Sequence, residues 1–120
     1  MLKPPHPWYL FQLKGGELFA FAGLYDVWED KKTGERVERY TMITTEPNEL
    51  VGKVHSRMPV ILTKDEEDIW LNPDITEPEQ LKPLLDPYPA EKMESWRVSD
   101  AAKNYRNDSP ELTAPVTPLL

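Results

Sequence analysis

Trp8-Tyr9-Leu10-Phe11-Gln12-Leu13-Lys14-Gly15-Gly16-Glu17-Leu18-Phe19-Ala20-Phe21-Ala22-Gly23-Leu24-Tyr25-Asp26-Val27-Trp28 decides the fold class. Its two runs rich in aromatic and branched residues, Trp8 to Leu13 and Phe19 to Trp28, have the composition of β-strands. Gly15-Gly16 between them supplies positive φ at both centres of a tight turn, so a hairpin is expected. In the second run Phe19, Phe21, Gly23, Tyr25 and Val27 fall on one face, and Ala20, Ala22, Leu24 and Trp28 on the other. Both faces are apolar, which places this strand in the middle of a sheet, covered on each side. Glu29 to Glu35 is a polar loop, and Val37 to Thr44 reads as a third strand. Three antiparallel strands in a meander follow.

Further along, Glu46 to Val54 has Thr45 as a cap, Pro47 in its first turn and Leu50, Val51 and Val54 at helical spacing, so a two-turn helix is expected. Met58-Pro59-Val60-Ile61-Leu62 is a buried apolar run. Thr63-Lys64-Asp65-Glu66 has the spacing of a capping box that opens a helix to about Leu71, ended by Asn72-Pro73. Thr76-Glu77-Pro78-Glu79 repeats the box ahead of Leu81, Leu84 and Leu85, although Pro83 holds that helix to a turn or two. Met93 to Val98 reads as a last strand, and Ser99 to Leu120 as a polar tail without a long element.

The whole chain of 120 residues has the length of one domain and, at 39% hydrophobic residues, the means to build a core. It has no Cys, which removes disulfides, thiol catalysis and thiolate metal sites. No apolar run reaches the length of a membrane span, and no signal peptide is read at the N-terminus, so an intracellular, cytoplasmic protein is expected. The formal net charge of −7 lowers the expectation of a nucleic-acid partner. The excess is confined to residues 61–120, however; residues 1–60 carry 8 acids and 8 bases. A basic surface on the first half remains open.

Gly52-Lys53-Val54-His55-Ser56-Arg57-Met58-Pro59 is the sharpest local chemistry. Pro59 favours an extended Met58, and extension back through Ser56 would turn His55 and Arg57 to one side. Imidazole and guanidinium would then share a pocket, one exchanging a proton while the other holds an anion. The same spacing serves a His that bonds a neighbouring loop and an Arg paired with a surface carboxylate. Other templates fit less well. Ser56 faces away from His55, His6 and His55 lack metal-ligand spacing, and Asp65-Glu66-Glu67-Asp68 fits the first turn of a helix better than a calcium loop. Trp8, Trp28, Trp70 and Trp96 suit either a core or a platform for stacking bases.

Taken in order, several motifs resemble the SOS-response-associated peptidase (SRAP) family, the abasic-site processing proteins. They are Phe21-Ala22-Gly23-Leu24-Tyr25, Met42 to Asn48, His55 to Leu62, Trp70-Leu71, Pro87-Tyr88-Pro89, and Val98-Ser99 followed by Asn107 to Leu112. The resemblance runs over residues 8–116. It implies an α+β fold with a bent, antiparallel, barrel-like sheet and short peripheral helices. It implies single-stranded DNA with abasic sites as partner, no cofactor, no metal and no membrane, and a place at the nucleoid in the DNA damage response. In the family, the amine and thiol of an N-terminal Cys close a thiazolidine on the abasic aldehyde, assisted by an Asn, by a Glu in a Tyr-Glu-Trp-like motif and by a His. By the same resemblance His55 matches that His, Arg57 a residue on the DNA backbone, and Thr44 a polar residue lining the site.

Leu2 stands where the family has its Cys, and the stretch bearing the Asn and Glu has no counterpart. Residues 1–120 are therefore expected to form a single partial SRAP domain, its C-terminal portion, incomplete relative to the family fold and without a nucleophile. Whether that is a fragment, a misplaced start or a natural short form stays open. So does the class of function: an abasic-site enzyme, hydrolase or lyase, represented by one portion, or a noncatalytic DNA-binding remnant. Strand edges left bare by such a portion are expected to favour self-association.

Overall fold

A computed structural model describes residues 6–116. Leu2 lies outside them. The chain divides into two compact units, one formed by Met1–Glu17 with Glu91–Leu120 and the other by Leu18–Ala90.

In the first unit, β1 (Tyr9–Leu13) pairs antiparallel with β8 (Met93–Arg97), in a register that sets Leu10 opposite Trp96 and Leu13 opposite Met93. The ladder continues at both ends, since Lys14 N–H donates to Lys92 O and Val98 N–H to Trp8 O, each at 2.9 Å. Leu13, Met93 and Val98 are its buried residues. Gln12 Nε2 donates to Glu94 Oε1 at 2.6 Å across the pair. Among the described residues the tail after β8 holds two short 3-10 turns, Asp100–Lys103 and Pro110–Thr113, and no long element, as its polar composition predicts. It is tied back where Trp96 Nε1 donates to Thr113 O and Val116 N–H to Arg97 O.

This pairing corrects the expected hairpin. Gly15 and Gly16 do take positive φ, at 87° and 71°, and Gly16 N–H closes a turn on Leu13 O. The turn does not lead into an adjacent strand, because β1 finds its partner, and the apolar contacts that bury Leu13, near the far end of the sequence.

The second unit contains three further two-stranded ladders. β2 (Ala20–Phe21) pairs with β7 (Ile61–Leu62), β3 (Gly23–Glu29) with β4 (Arg36–Met42), and β5 (Thr44–Thr45) with β6 (Met58–Pro59), all antiparallel. They meet at the three residues that interrupt the strands. Ala22 N–H donates to Val60 O, Val60 N–H to Ile43 O, and Ile43 N–H to Ala22 O, at 2.9, 3.0 and 3.0 Å. This closed ring lets the chain change pairing partner three times with no buried donor left over. Ala22 and Val60 are fully buried there and, with Leu62 and Leu84, form the core against which Ile43, Trp70, Leu81 and Leu85 pack.

α1 (Lys64–Leu71) opens with the capping box read from the sequence. Glu66 N–H donates to Thr63 Oγ1 and Thr63 N–H to Glu66 Oε1. Trp70 near its end donates Nε1–H to Gly23 O at 3.0 Å. α2 (Pro78–Leu81) is a single turn that passes into a 3-10 turn, Lys82–Leu85. Its expected box does not form, since Glu77 is the N-cap and makes no side-chain bond.

Two further expectations are corrected. β3 and β4 form the second half of the anticipated meander, but among the described residues β3 pairs with β4 alone, and both of its faces are largely exposed. From Leu24 to Met42 every strand residue is exposed, with Tyr25 at 80% and Tyr40 at 86%. Composition indicates which faces can be buried, not whether a neighbour is there to bury them. On one face Asp26 and Arg39 make a bidentate pair at 3.0 and 2.9 Å, whose hydrogen bonds hold the Asp26 carboxyl below the usual carboxylate range and Arg39 above its own ordinary value. The helix expected over Glu46 to Val54 is reduced to a 3-10 turn, Val51–Lys53. Barrel closure is not reached: each of the four sheets among the described residues has two strands. No helix among them is long and apolar enough to cross a membrane.

Candidate functional site

Residues 46–57 form the loop that joins β5 to β6, and the ladder that sets Thr44 opposite Pro59 brings its two ends together. Asn48 organises the loop from within. Its Oδ1 accepts from Leu50 N–H and Val51 N–H at 3.1 and 2.9 Å, its Nδ2 donates to Tyr88 O at 2.6 Å, and its backbone N–H points at Met58 Sδ. An Asn that takes the N–H groups two and three residues on offers the backbone a turn in place of a helix. Leu50 is the N-cap of the 3-10 turn, and Asn48, not Thr45, supplies the side-chain bonds that hold the backbone entering it. Val51 is buried beneath it, and His55 N–H donates to Val51 O at 2.9 Å, so the position of His55 is inherited from this turn.

Arg57 folds back onto Thr44. Nε and Nη2 donate to Thr44 Oγ1 at 3.2 and 3.0 Å, and Nη2 also to Thr44 O at 2.8 Å. One edge of the guanidinium is thus fixed, while Nη1 bonds no group among the described residues. None of the ion pairs among those residues uses Arg57. Its charge, held in place and not neutralised by a carboxylate, is free to act on an anion from solvent.

His55 is placed differently from the sequence expectation. The chain bends at Ser56 and is not extended, and the ring turns onto the backbone of Arg57. Nδ1 lies 3.1 Å from Arg57 N, from which it accepts, and 3.0 Å from Arg57 O. A neutral ring accepts the N–H at Nδ1, and a ring protonated at Nδ1 donates to the carbonyl, so either form keeps the same orientation. Nε2 bonds no group among the described residues and is the atom at which a proton can be exchanged. His55, Arg57 and Thr44 are all exposed, so they share an open surface and not a pocket.

The structure thus brings together Thr44, His55 and Arg57. It contains features of both sequence readings, since His55 does bond its own loop, whereas Arg57 pairs with a threonine and not a carboxylate. Asn48 is the residue that sequence reasoning passed over. The signal was present: an Asn following Pro47, with backbone donors at the spacing of an Asx turn. The tryptophans form no single platform, because Trp70 packs on the core and Trp96 holds the tail, while Trp8 and Trp28 are exposed. Among the described residues no group of His, Asp and Glu is arranged to hold a metal, and the carboxylates Asp65, Glu66 and Glu67 occupy the first turn of α1.

The family model for SOS response associated peptidase (SRAP) matches residues 3–105. The chain is 50% identical over 101 residues to the abasic site processing protein YoqW of Bacillus subtilis (strain 168), a match that covers 84% of this chain and 45% of YoqW. It is 37% identical over 105 residues to the abasic site processing protein HMCES of Gallus gallus, covering 86% of this chain and 30% of HMCES. A crystal structure of a protein from Bacteroides thetaiotaomicron superposes with a TM-score of 0.77 at 36% identity, over 91% of this chain and 48% of that one. The chain therefore spans less than half the length of the relatives it matches. With these matches over most of its length, the chain belongs to the SRAP family.

Proposed function

We propose that this chain carries the DNA-facing His–Arg surface of an abasic-site processing domain and that residues 1–120 are one part of that single domain. In this reading the partner is single-stranded DNA with an abasic site, the setting is the nucleoid of the cell, and closure into a bent, barrel-like sheet belongs to the whole domain. The observation that carries it is Arg57, held by Thr44, outside any ion pair among the described residues, next to a His55 whose Nδ1 is engaged and whose Nε2 is open. Arg57 holds a backbone phosphate through Nη1. His55 passes protons at Nε2 to or from groups at the ring-opened sugar, the work of a general acid–base. Thr44 contributes by fixing the guanidinium, which lowers the ordering needed when the phosphate arrives. The reading is supported by relatives at 35–50% identity that are abasic site processing proteins.

The covalent chemistry lies elsewhere, since none of the 120 residues is Cys. The 120-residue chain is accordingly a binding partner for DNA more than a complete hydrolase or lyase. Its bare strand edges also make self-association an expected property of the chain on its own.

Fluorescence anisotropy with abasic single-stranded DNA, over a series of salt concentrations, tests the reading. With a net charge of −7 the chain should bind weakly and with strong salt dependence. Arg57→Ala should weaken binding several-fold and flatten the salt slope by about 0.7, the loss of one phosphate contact on a single strand. Lys64→Ala, on the exposed first turn of α1, should leave both unchanged. Equal losses from the two substitutions would show that the binding surface lies elsewhere.

A further inference from the structure

After β8 the first unit carries a turn that holds an aromatic ring and a guanidinium toward solvent. Asn104 N–H donates to Ala101 O at 3.3 Å, Asn107 N–H to Asn104 O at 3.0 Å and Asn107 Nδ2 to Ala101 O at 2.8 Å, while Asn104 Oδ1 accepts from Arg106 N–H at 3.0 Å. An Asn side chain that takes the N–H two residues on sets the backbone locally, without a longer element. On this turn Tyr105 is 85% exposed. Arg106 lies against it, its Cζ 5.7 Å from the ring centroid and its Nε donating to Tyr105 Oη at 3.3 Å. Nη1 and Nη2 bond no group among the described residues. None of the ion pairs there uses Arg106 or Asp108, and Asp100 is held by Lys103 at 3.4 Å.

We infer that Tyr105 and Arg106 form a second contact for single-stranded DNA, in which a base stacks on the open Tyr105 ring and the terminal nitrogens of Arg106 hold a neighbouring phosphate. An aromatic platform beside a cation is what a single strand needs, because every base has a π-face and every linkage a charge. Charge favours this unit. Residues 1–17 and 91–120 contain 6 Lys and Arg against 6 Asp and Glu, whereas residues 18–90 contain 8 against 15, so a polyanion is repelled less by the first unit than by the second. Tyr25 and Tyr40 are comparably exposed, but Arg39 beside them is taken up by Asp26. The inference rests on DNA as the partner proposed above and adds a contact that does not require the lesion.

Anisotropy with an oligothymidylate, intact or with one abasic site, compares the parent chain with four variants. Tyr105→Ala should weaken binding to both strands about fivefold or more, and Tyr105→Phe, which still stacks, should stay within about twofold of the parent. Arg106→Ala should weaken binding and flatten the salt slope by about 0.7, whereas Tyr105→Ala should leave the slope unchanged. Irradiation with a bromodeoxyuridine-containing strand should crosslink Tyr105, located by peptide mass spectrometry. Thermal melts of the variants should match the parent, since both side chains are exposed. Loss of binding in Arg57→Ala but not in Tyr105→Ala or Arg106→Ala would overturn this inference and leave the reading of Arg57 standing. Loss in Tyr105→Ala and Arg106→Ala alone would support the contact and remove Arg57 from the DNA surface. A parent chain without salt-sensitive binding would overturn both.

Discussion

Asn48 shows how much of a site can depend on one uncharged side chain. It satisfies two backbone donors, donates to Tyr88 O, and thereby sets the turn from which His55 is suspended. Removing such a group leaves part-buried partners without bonds, a loss of about 1–3 kcal/mol. Asn48→Ala should lower the urea midpoint correspondingly and speed amide exchange over residues 50–57, where an unchanged midpoint would mean that backbone and packing alone hold the loop. At this scale the sequence was partly legible. His55, Arg57 and Thr44 could be singled out, but the reason that Arg57 points where it does could not, because its anchor lies across a ladder between residues distant in sequence. The bend at Ser56 was hidden for a related reason: Pro59 constrains Met58 directly, and its influence does not extend two residues further.

Among the elements, those governed by local rules were readable. The capping box at Thr63 and Glu66 forms as spaced, and Val60, Ile61 and Leu62 are buried as their apolar run requires. Pairing was not readable. Gly15-Gly16 makes its turn, but the partner of β1 begins at Met93, and a turn says nothing of what lies beyond the next strand. Likewise the ring formed by Ala22, Ile43 and Val60 joins residues that no local pattern connects. Small size at Ala22 is what the ring needs, for the side chain is fully buried where three strand pairs converge. Ala22→Leu should cost about 1–3 kcal/mol through overpacking, whereas Leu18→Ala, at a position 88% exposed, should change stability by less than about 0.5 kcal/mol. Guanidinium denaturation of the two variants compares them directly. If Ala22→Leu were neutral, the junction would have room for a side chain and would not be the tight centre of the second unit.

For the molecule as a whole, the proposed reading separates holding DNA from reacting with it on grounds of composition. The thiazolidine that the family resemblance implies needs an amine and a thiol on one residue. An amine by itself condenses with the abasic aldehyde to an imine, releasing water, and the same water reverses the step. A chain with no thiol therefore has access to the reversible product alone. Incubated with abasic single-stranded DNA and resolved on a denaturing gel after heating, the 120-residue chain should leave no shifted band, although borohydride added beforehand should trap a small imine fraction. A chimera in which this chain replaces the matched residues of YoqW supplies the rest of a family domain. If that portion brings the missing nucleophile, a heat-stable band should appear without borohydride. His55→Ala in the chimera should then slow band formation while anisotropy finds DNA binding within about twofold of the parent. A heat-stable adduct from the 120-residue chain itself would require a nucleophile that its sequence does not contain. An unaltered rate in the His55→Ala chimera would assign the proton transfer to another group and leave His55 a role in shaping the loop around Arg57.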